Sequence, residues 1–156
     1  MGDSVLTEIV ARHENDQMPA WFSDGIQSLT FTNGSMVLGL ADLRVTQKML
    51  LSKYGKTANK ITTFKVFQQQ VRSAHGNNKF ADREIELMWE ANTLQEGHRK
   101  TYLTIKYLND RKRFEKTRWL PALGQTQLPV HLCWGNDDSV ARVEMAHYLK
   151  LSLIHI

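Results

Sequence analysis

The residues best equipped for chemistry lie in LPVHLCWGNDDSV, 128–140, an apolar run that ends in a glycine turn and two adjacent aspartates. The Gly135-x-x-Asp138 spacing places a carboxylate just beyond the carboxyl end of a short strand, where α/β sheets build their sites. An ionised carboxylate held there can orient a histidine and stabilise its imidazolium, the third-member role in a catalytic triad. Asp137 competes for that assignment; its other reading is a cap on the helix that follows.

The histidines offer less. His13, His75 and His98 fall at helix ends or on polar faces, where solvated or dipole-compensating roles are commonest. His131 alternates within the strand and His147 lies on the last helix. None forms an H-x-x-x-H pair, so neither a metal nor any other cofactor is predicted. Cys133 is the single cysteine and sits inside an apolar strand, so it is expected to be a buried structural thiol in a reducing, cytoplasmic setting.

Elements must position these groups, and composition bounds them. With 156 residues, 42% hydrophobic and 23% charged, the chain has the length and make-up of one globular domain. No apolar run is long enough to span a membrane, and MGDSVLTEIV lacks the basic start of a signal peptide. The net charge of +4 is local: residues 99–118 hold eight of the twenty Lys and Arg but only two acids. Such a run suits a long amphipathic helix with a solvated cationic face. A helical binding module using that surface is the rival reading, although no nucleic-acid motif accompanies it and no nucleic-acid partner is expected.

Along the chain, residues 2–16 read as a helix ending near Asn15 to Gln17, with Val5, Leu6, Ile9 and Val10 on one stripe and Asp3 and Ser4 as caps. IQSLTFTNG, 26–34, reads as a strand closed by an Asn-Gly turn. Helical period then dominates. Glycine stops are expected at Gly55 and Gly76, a third helix at 81–92, and one or two more over 97–124, interrupted at Pro121. PVHLCWG is the second strand and ARVEMAHYLK a closing helix. The two strands are short and apolar in the manner of a buried parallel sheet, yet about 90 residues separate them, where a minimal crossover takes about a dozen. That excess predicts a helical lid inserted between strands, with Phe64, Phe67, Trp89, Tyr102 and Tyr107 in its core.

Strand-Gly-x-x-Asp-x-Val followed by a helix, LCWGNDDSV, resembles the acid turn of α/β-hydrolase fold enzymes. RKRFEKTRWLPAL and LPVHLCWG resemble the segment leading into that turn in a cap-bearing subgroup near epoxide hydrolases and haloalkane dehalogenases. SLTFTNGS is similar to that subgroup's cap-opening strand, and MGDSV to x-Gly-Asp-Ser-Val of its nucleophile elbow.

The resemblance implies an α/β fold, mostly helical here, with two parallel core strands and a helical cap. It divides the chain into core residues 1–33, a cap at 34–120, core residues 121–150 and a tail at 151–156. It favours Asp138 as the acid and places Met1 at the oxyanion-hole position that follows the nucleophile. Asn33 and Trp89 become candidates for the pocket rim, while the Asn33-Gly34 pair remains a plain turn signal. It implies a hydrolase attacking a small apolar ester, epoxide or haloalkane through a triad of which only the acid is present. The nucleophile is expected before Met1 and the catalytic histidine beyond the last helix. The final LSLIHI resembles the translation of a transposase mosaic-end adapter, so 151–156 is expected to be adapter-derived, with His155 no substitute for the missing histidine. The lone chain is expected to be inactive and to expose an apolar sheet face.

Overall fold

The computed structural model describes residues 1–22, 25–74 and 80–152; His75, Gly76 and His155 lie outside the described residues. The chain divides into two units. One comprises Met1–Ala41, Tyr107–Asp137 and Ala141–Ile156, the other Asp42–Lys106 with Asp138–Val140.

The first unit is built on two parallel strands, β1 (Leu29–Thr32) and β2 (Val130–Cys133), paired Leu29 with Val130 through Thr32 with Cys133. Both expected strands therefore form, side by side and parallel. Their alternation is clean. Leu29 and Phe31 are buried, and each such side chain contributes roughly 1.5–3 kcal/mol. They join one core with Val10 and Ala11 of α1 (Gly2–Glu14), Trp119 just ahead of α8 (Leu120–Gln125), Ala122 and Leu123 of α8, and Met145 and Leu149 of α9 (Glu144–Ser152).

The other face carries Thr30, Thr32, His131 and Cys133, all exposed. Two expectations are corrected here. Cys133 is not buried, and the open face is polar rather than apolar. The cause is the period of two, which sends every large apolar residue of both strands to the helical side.

Helix α1 ends with Asp16 in the left-handed region (φ 54°); the Gln17 and Asp16 amides bond back to the Arg12 and His13 carbonyls. Its buried residues are Ser4, Thr7, Val10 and Ala11, so Val5 is exposed and Ser4 is no cap. The basic run is not one long helix. It breaks into α6 (Thr101–Thr104), α7 (Tyr107–Phe114) and a π-helical turn at Glu115–Trp119. Pro121 falls in the first turn of α8, where its missing N–H costs nothing.

The second unit contains α2 (Val45–Leu51), α3 (Gly55–Asn59), α4 (Phe64–Ala74), α5 (Asp82–Thr93), a 3-10 segment at Leu94–Arg99, and α6. Gly55 opens α3 rather than closing α2, because the chain turns so tightly there that a Cβ would overlap the Leu50 carbonyl. Among the described residues of this unit only Ile85 and Ile105 are buried hydrophobics. Its core leans instead on aromatic contacts: Trp89 lies 6.0 Å from Phe64, 5.3 Å from Phe67 and 5.4 Å from His98 between ring centroids.

Candidate functional site

Three chain segments meet at the carboxyl ends of the strands. Asn33, one residue past β1, accepts a hydrogen bond through Oδ1 from the Gly135 amide at 2.9 Å. The turn leading to Asp137 is thus latched to the end of β1. Gly34 packs on the Asp3 carboxylate, which would have to shift to admit a Cβ, and this brings the first turn of α1 to the same place. Met1 heads that helix: its carbonyl accepts the Ser4 amide at 3.0 Å, and its side chain is exposed.

Beneath this corner lies a buried guanidinium that sequence reasoning assigned to a solvated face. Arg111, 1% exposed, donates to Ser4 Oγ (3.0 Å), Thr7 Oγ1 (3.1 Å) and the Met36 carbonyl (2.8 Å). Its guanidinium carbon stands 4.7 Å from the Trp119 ring centroid. One side chain therefore ties the start of α1 to the backbone that leaves β1. The π-helical turn adds a second tie, with buried Glu115 accepting the Leu38 amide at 2.7 Å.

Burial pulls the Arg111 pKa down from its ordinary value, opposed by Glu115, Asp3 and Tyr107. Burial pushes Asp3 up, opposed by the amino terminus and Arg111. Tyr107 is raised by burial and by the Asp3 charge. One signal could have found Arg111: it falls between Leu108 and Glu115 on the stripe of α7 and the π turn that is otherwise buried.

On the outer side of α1, Glu8 accepts hydrogen bonds from Arg118 (2.9 and 3.1 Å), Arg12 (2.9 Å) and the Trp119 indole (2.8 Å). Chiefly through Arg118, these partners hold its carboxyl down at about 2. Arg111 is buried, Arg118 is held by Glu8 and Arg99 pairs with Glu96, so three of the eight basic residues of 99–118 are not free cations on the surface. A groove of about 830 Å3 runs beside this network, lined by Val5, Ile9, Trp21, Phe22 and Tyr107 among others; Asn33, Gly135 and Asp138 do not line it.

Asp138 belongs to the second unit. Its Oδ1 accepts the Val140 amide at 2.8 Å, closing a local side-chain turn, and the Val140 carbonyl accepts the Asp42 amide at 3.3 Å. Arg44 clamps the same turn. Its guanidinium donates to Ser139 Oγ (3.2 Å), to Ser73 Oγ (2.6 Å) and to the Ser73 and Gln70 carbonyls at the end of α4 (3.0 and 3.4 Å). Asp137 is exposed and does not cap the closing helix, which begins only at Glu144. The capping alternative for Asp137 is thereby corrected, since the chain inserts six residues between the two.

Met1, Asn33 and Gly135 belong to one unit, in which Gly135 is bonded to Asn33. Trp89 and the Asp138 turn belong to the other, Trp89 as part of its aromatic core. Among the described residues no group of three or more His, Cys, Asp or Glu side chains could hold a metal, and no helix is long and apolar enough to cross a membrane.

No family model and no solved structure matches the chain. Curated relatives do. "Putative hydrolase LipZ" of Mycobacterium tuberculosis is 30% identical over 151 residues, covering 96% of this chain and 51% of that protein. Mesoderm-specific transcript homolog protein of Homo sapiens is 27% identical over 144 residues, covering 89% of this chain and 41% of that one. The Mus musculus protein is 26% identical over the same length. The chain thus spans about half the length, or less, of the relatives it matches. By these matches, it is a distant homologue of the α/β-hydrolase family proteins LipZ and mesoderm-specific transcript protein over most of its own length.

Proposed function

We propose that this chain is a segment of an α/β-fold hydrolase acting on a small apolar ester, epoxide or haloalkane, with Asp138 as the acid of its triad. One observation carries the reading: β1 and β2 pair in parallel across a helical insertion, and Gly135-x-x-Asp138 follows β2 directly. The relation to LipZ over 96% of the chain supports it. So does the Asn33–Gly135 bond, which gives the acid turn a fixed origin at the strand ends.

In this reading the nucleophile, an Asp or Ser, and the histidine come from the remainder of a parent about twice as long. The nucleophile attacks the electrophilic carbon, breaking its bond to the alcohol oxygen, the epoxide ring oxygen or the halide, and a histidine-activated water cleaves the resulting ester to release the product and restore the nucleophile. Asp138 accepts the histidine N–H and stabilises its protonated form. The Met1 backbone N–H, at the head of α1, is one donor to the oxyanion. Asn33 contributes to the pocket rim. The chemistry requires no cofactor, and the protein works in the cytoplasm.

The test is a longer protein carrying native sequence on both sides of residues 1–150, assayed with an aryl ester, an aliphatic epoxide and a haloalkane. Turnover of at least one class, abolished by removing the nucleophile, is expected. A folded longer protein that turns over none of the three contradicts the reading.

A further inference from the structure

Arg44 stands immediately ahead of α2, and its backbone is fixed there. Its amide donates to Gln47 Oε1 at 2.8 Å, and its carbonyl accepts the Lys48 amide at 3.0 Å. From that root the guanidinium reaches two places at once. Nη1 donates to Ser73 Oγ (2.6 Å) and the Gln70 carbonyl (3.4 Å), while Nη2 donates to the Ser73 carbonyl (3.0 Å) and to Ser139 Oγ (3.2 Å). Gln70 and Ser73 lie near the end of α4, where a cation also complements the helix dipole. A planar fork suits such a divided grip, and the point charge of an ammonium does not.

Residues 138–140 are held at a second point from the same stretch of chain. The Val140 carbonyl accepts the amide of Asp42, two residues before Arg44, at 3.3 Å, and within the turn Asp138 Oδ1 accepts the Val140 amide at 2.8 Å. Attachment at two points fixes the orientation of the turn as well as its place. The Oδ1 bond carries that orientation to the Asp138 carboxyl group. All of these residues belong to the helical unit.

We propose that Arg44 is a positioning residue for the acid, holding the Asp138 turn in a fixed relation to the end of α4. The proposal rests on the hydrolase reading and adds to it. The helical insertion sets the aim of the triad carboxylate, and a shift of α4 moves the acid with it. Displacing a catalytic group by about 1 Å can cost roughly a hundredfold in rate. Arg44 acts on the rate only through Asp138.

The test has two arms. In this chain, the Val140 amide should exchange with solvent roughly two- to tenfold faster in Arg44→Met, the worth of one hydrogen bond, while amides in the middle of α5 keep their protection. In the longer protein, Arg44→Met should lower kcat roughly ten- to a hundredfold with KM unchanged within about twofold, and Arg44→Lys should recover part of the loss. In an Asp138→Asn background the same Arg44→Met change should alter kcat by less than about twofold, since the group it positions is gone. Should Arg44→Met fail to fold, Ser139→Ala, which removes one bond of the grip, carries both arms at smaller amplitude. Unchanged Val140 exchange, or equal kcat losses in both backgrounds, overturns this proposal and leaves the hydrolase reading standing. A folded longer protein without turnover overturns that reading, and the proposal with it.

Discussion

Asn33 Oδ1 and the Gly135 amide, 2.9 Å apart, join two turns separated by about a hundred residues of sequence. A Cβ on Gly135 would lie 3.3 Å from Asn33 Nδ2, so the glycine permits the approach as much as the asparagine makes it. Asn33→Ala should cost about 0.5–1.5 kcal/mol, the ordinary net worth of one hydrogen bond. Hydrogen exchange checks the site specifically: the Gly135 amide should exchange faster in the variant while the β1–β2 ladder keeps its protection.

Arg111→Met should be far more damaging. It leaves Ser4, Thr7 and the Met36 carbonyl without their shared donor in a buried setting. Each buried polar group left unsatisfied costs about 1–3 kcal/mol. Arg111→Lys should recover only part of the loss, since one ammonium cannot reach three acceptors that a planar fork spans. Urea denaturation of the two variants checks the order.

Acid should weaken the protein through Glu8. Its folded pKa is about 2 against an ordinary 4.5, so the folded state disfavours the protonated form. The stabilisation is fully present above about pH 4.5 and is lost as pH falls towards 2. Allowing for solvent screening of a partly exposed group, it amounts to about 1–2 kcal/mol. Asp3 works in the opposite direction: burial raises its pKa, so its protonation on acidification offsets part of the loss. Stability measured from pH 7 to pH 2 should fall less steeply in Glu8→Gln than in the parent chain.

The two aspartates should separate by stability alone. Asp137 is exposed, so Asp137→Asn should stay within about 0.5 kcal/mol of the parent. Asp138→Ala removes the acceptor of the Val140 amide and should cost about 1 kcal/mol, whereas Asp138→Asn keeps that acceptor and should cost less. Thermal melts of the three variants give the comparison.

Both strands were readable from residue type and turn signals, and their parallel pairing from their short, apolar character. What escaped sequence reasoning depends on three-dimensional partners. Arg111 has the composition of a surface residue, and only the convergence of Ser4, Thr7 and a carbonyl from distant positions makes its burial tolerable. Cys133 sits in an apolar run that suggests burial, but strand alternation places it on the open face with Thr30 and Thr32. The Asn33–Gly34 pair signalled a turn, and it gave no hint that the side chain would reach across to β2. The helix boundaries between 97 and 124 were blurred because a π-helical turn continues helical periodicity with a changed phase.

The central claim is that Asp138 is the acid of a hydrolytic triad, and one measurement tests it most directly. In the longer protein with an active nucleophile and histidine, steady-state turnover of Asp138→Asn is compared with Asp137→Asn, beside melting curves for both. Asp138→Asn should melt close to the parent and lose roughly two to four orders of magnitude in kcat, because the histidine loses the charge that orients it and stabilises its protonated form. Asp137→Asn should retain activity. Full activity in Asp138→Asn, or its loss only in Asp137→Asn, would contradict the account.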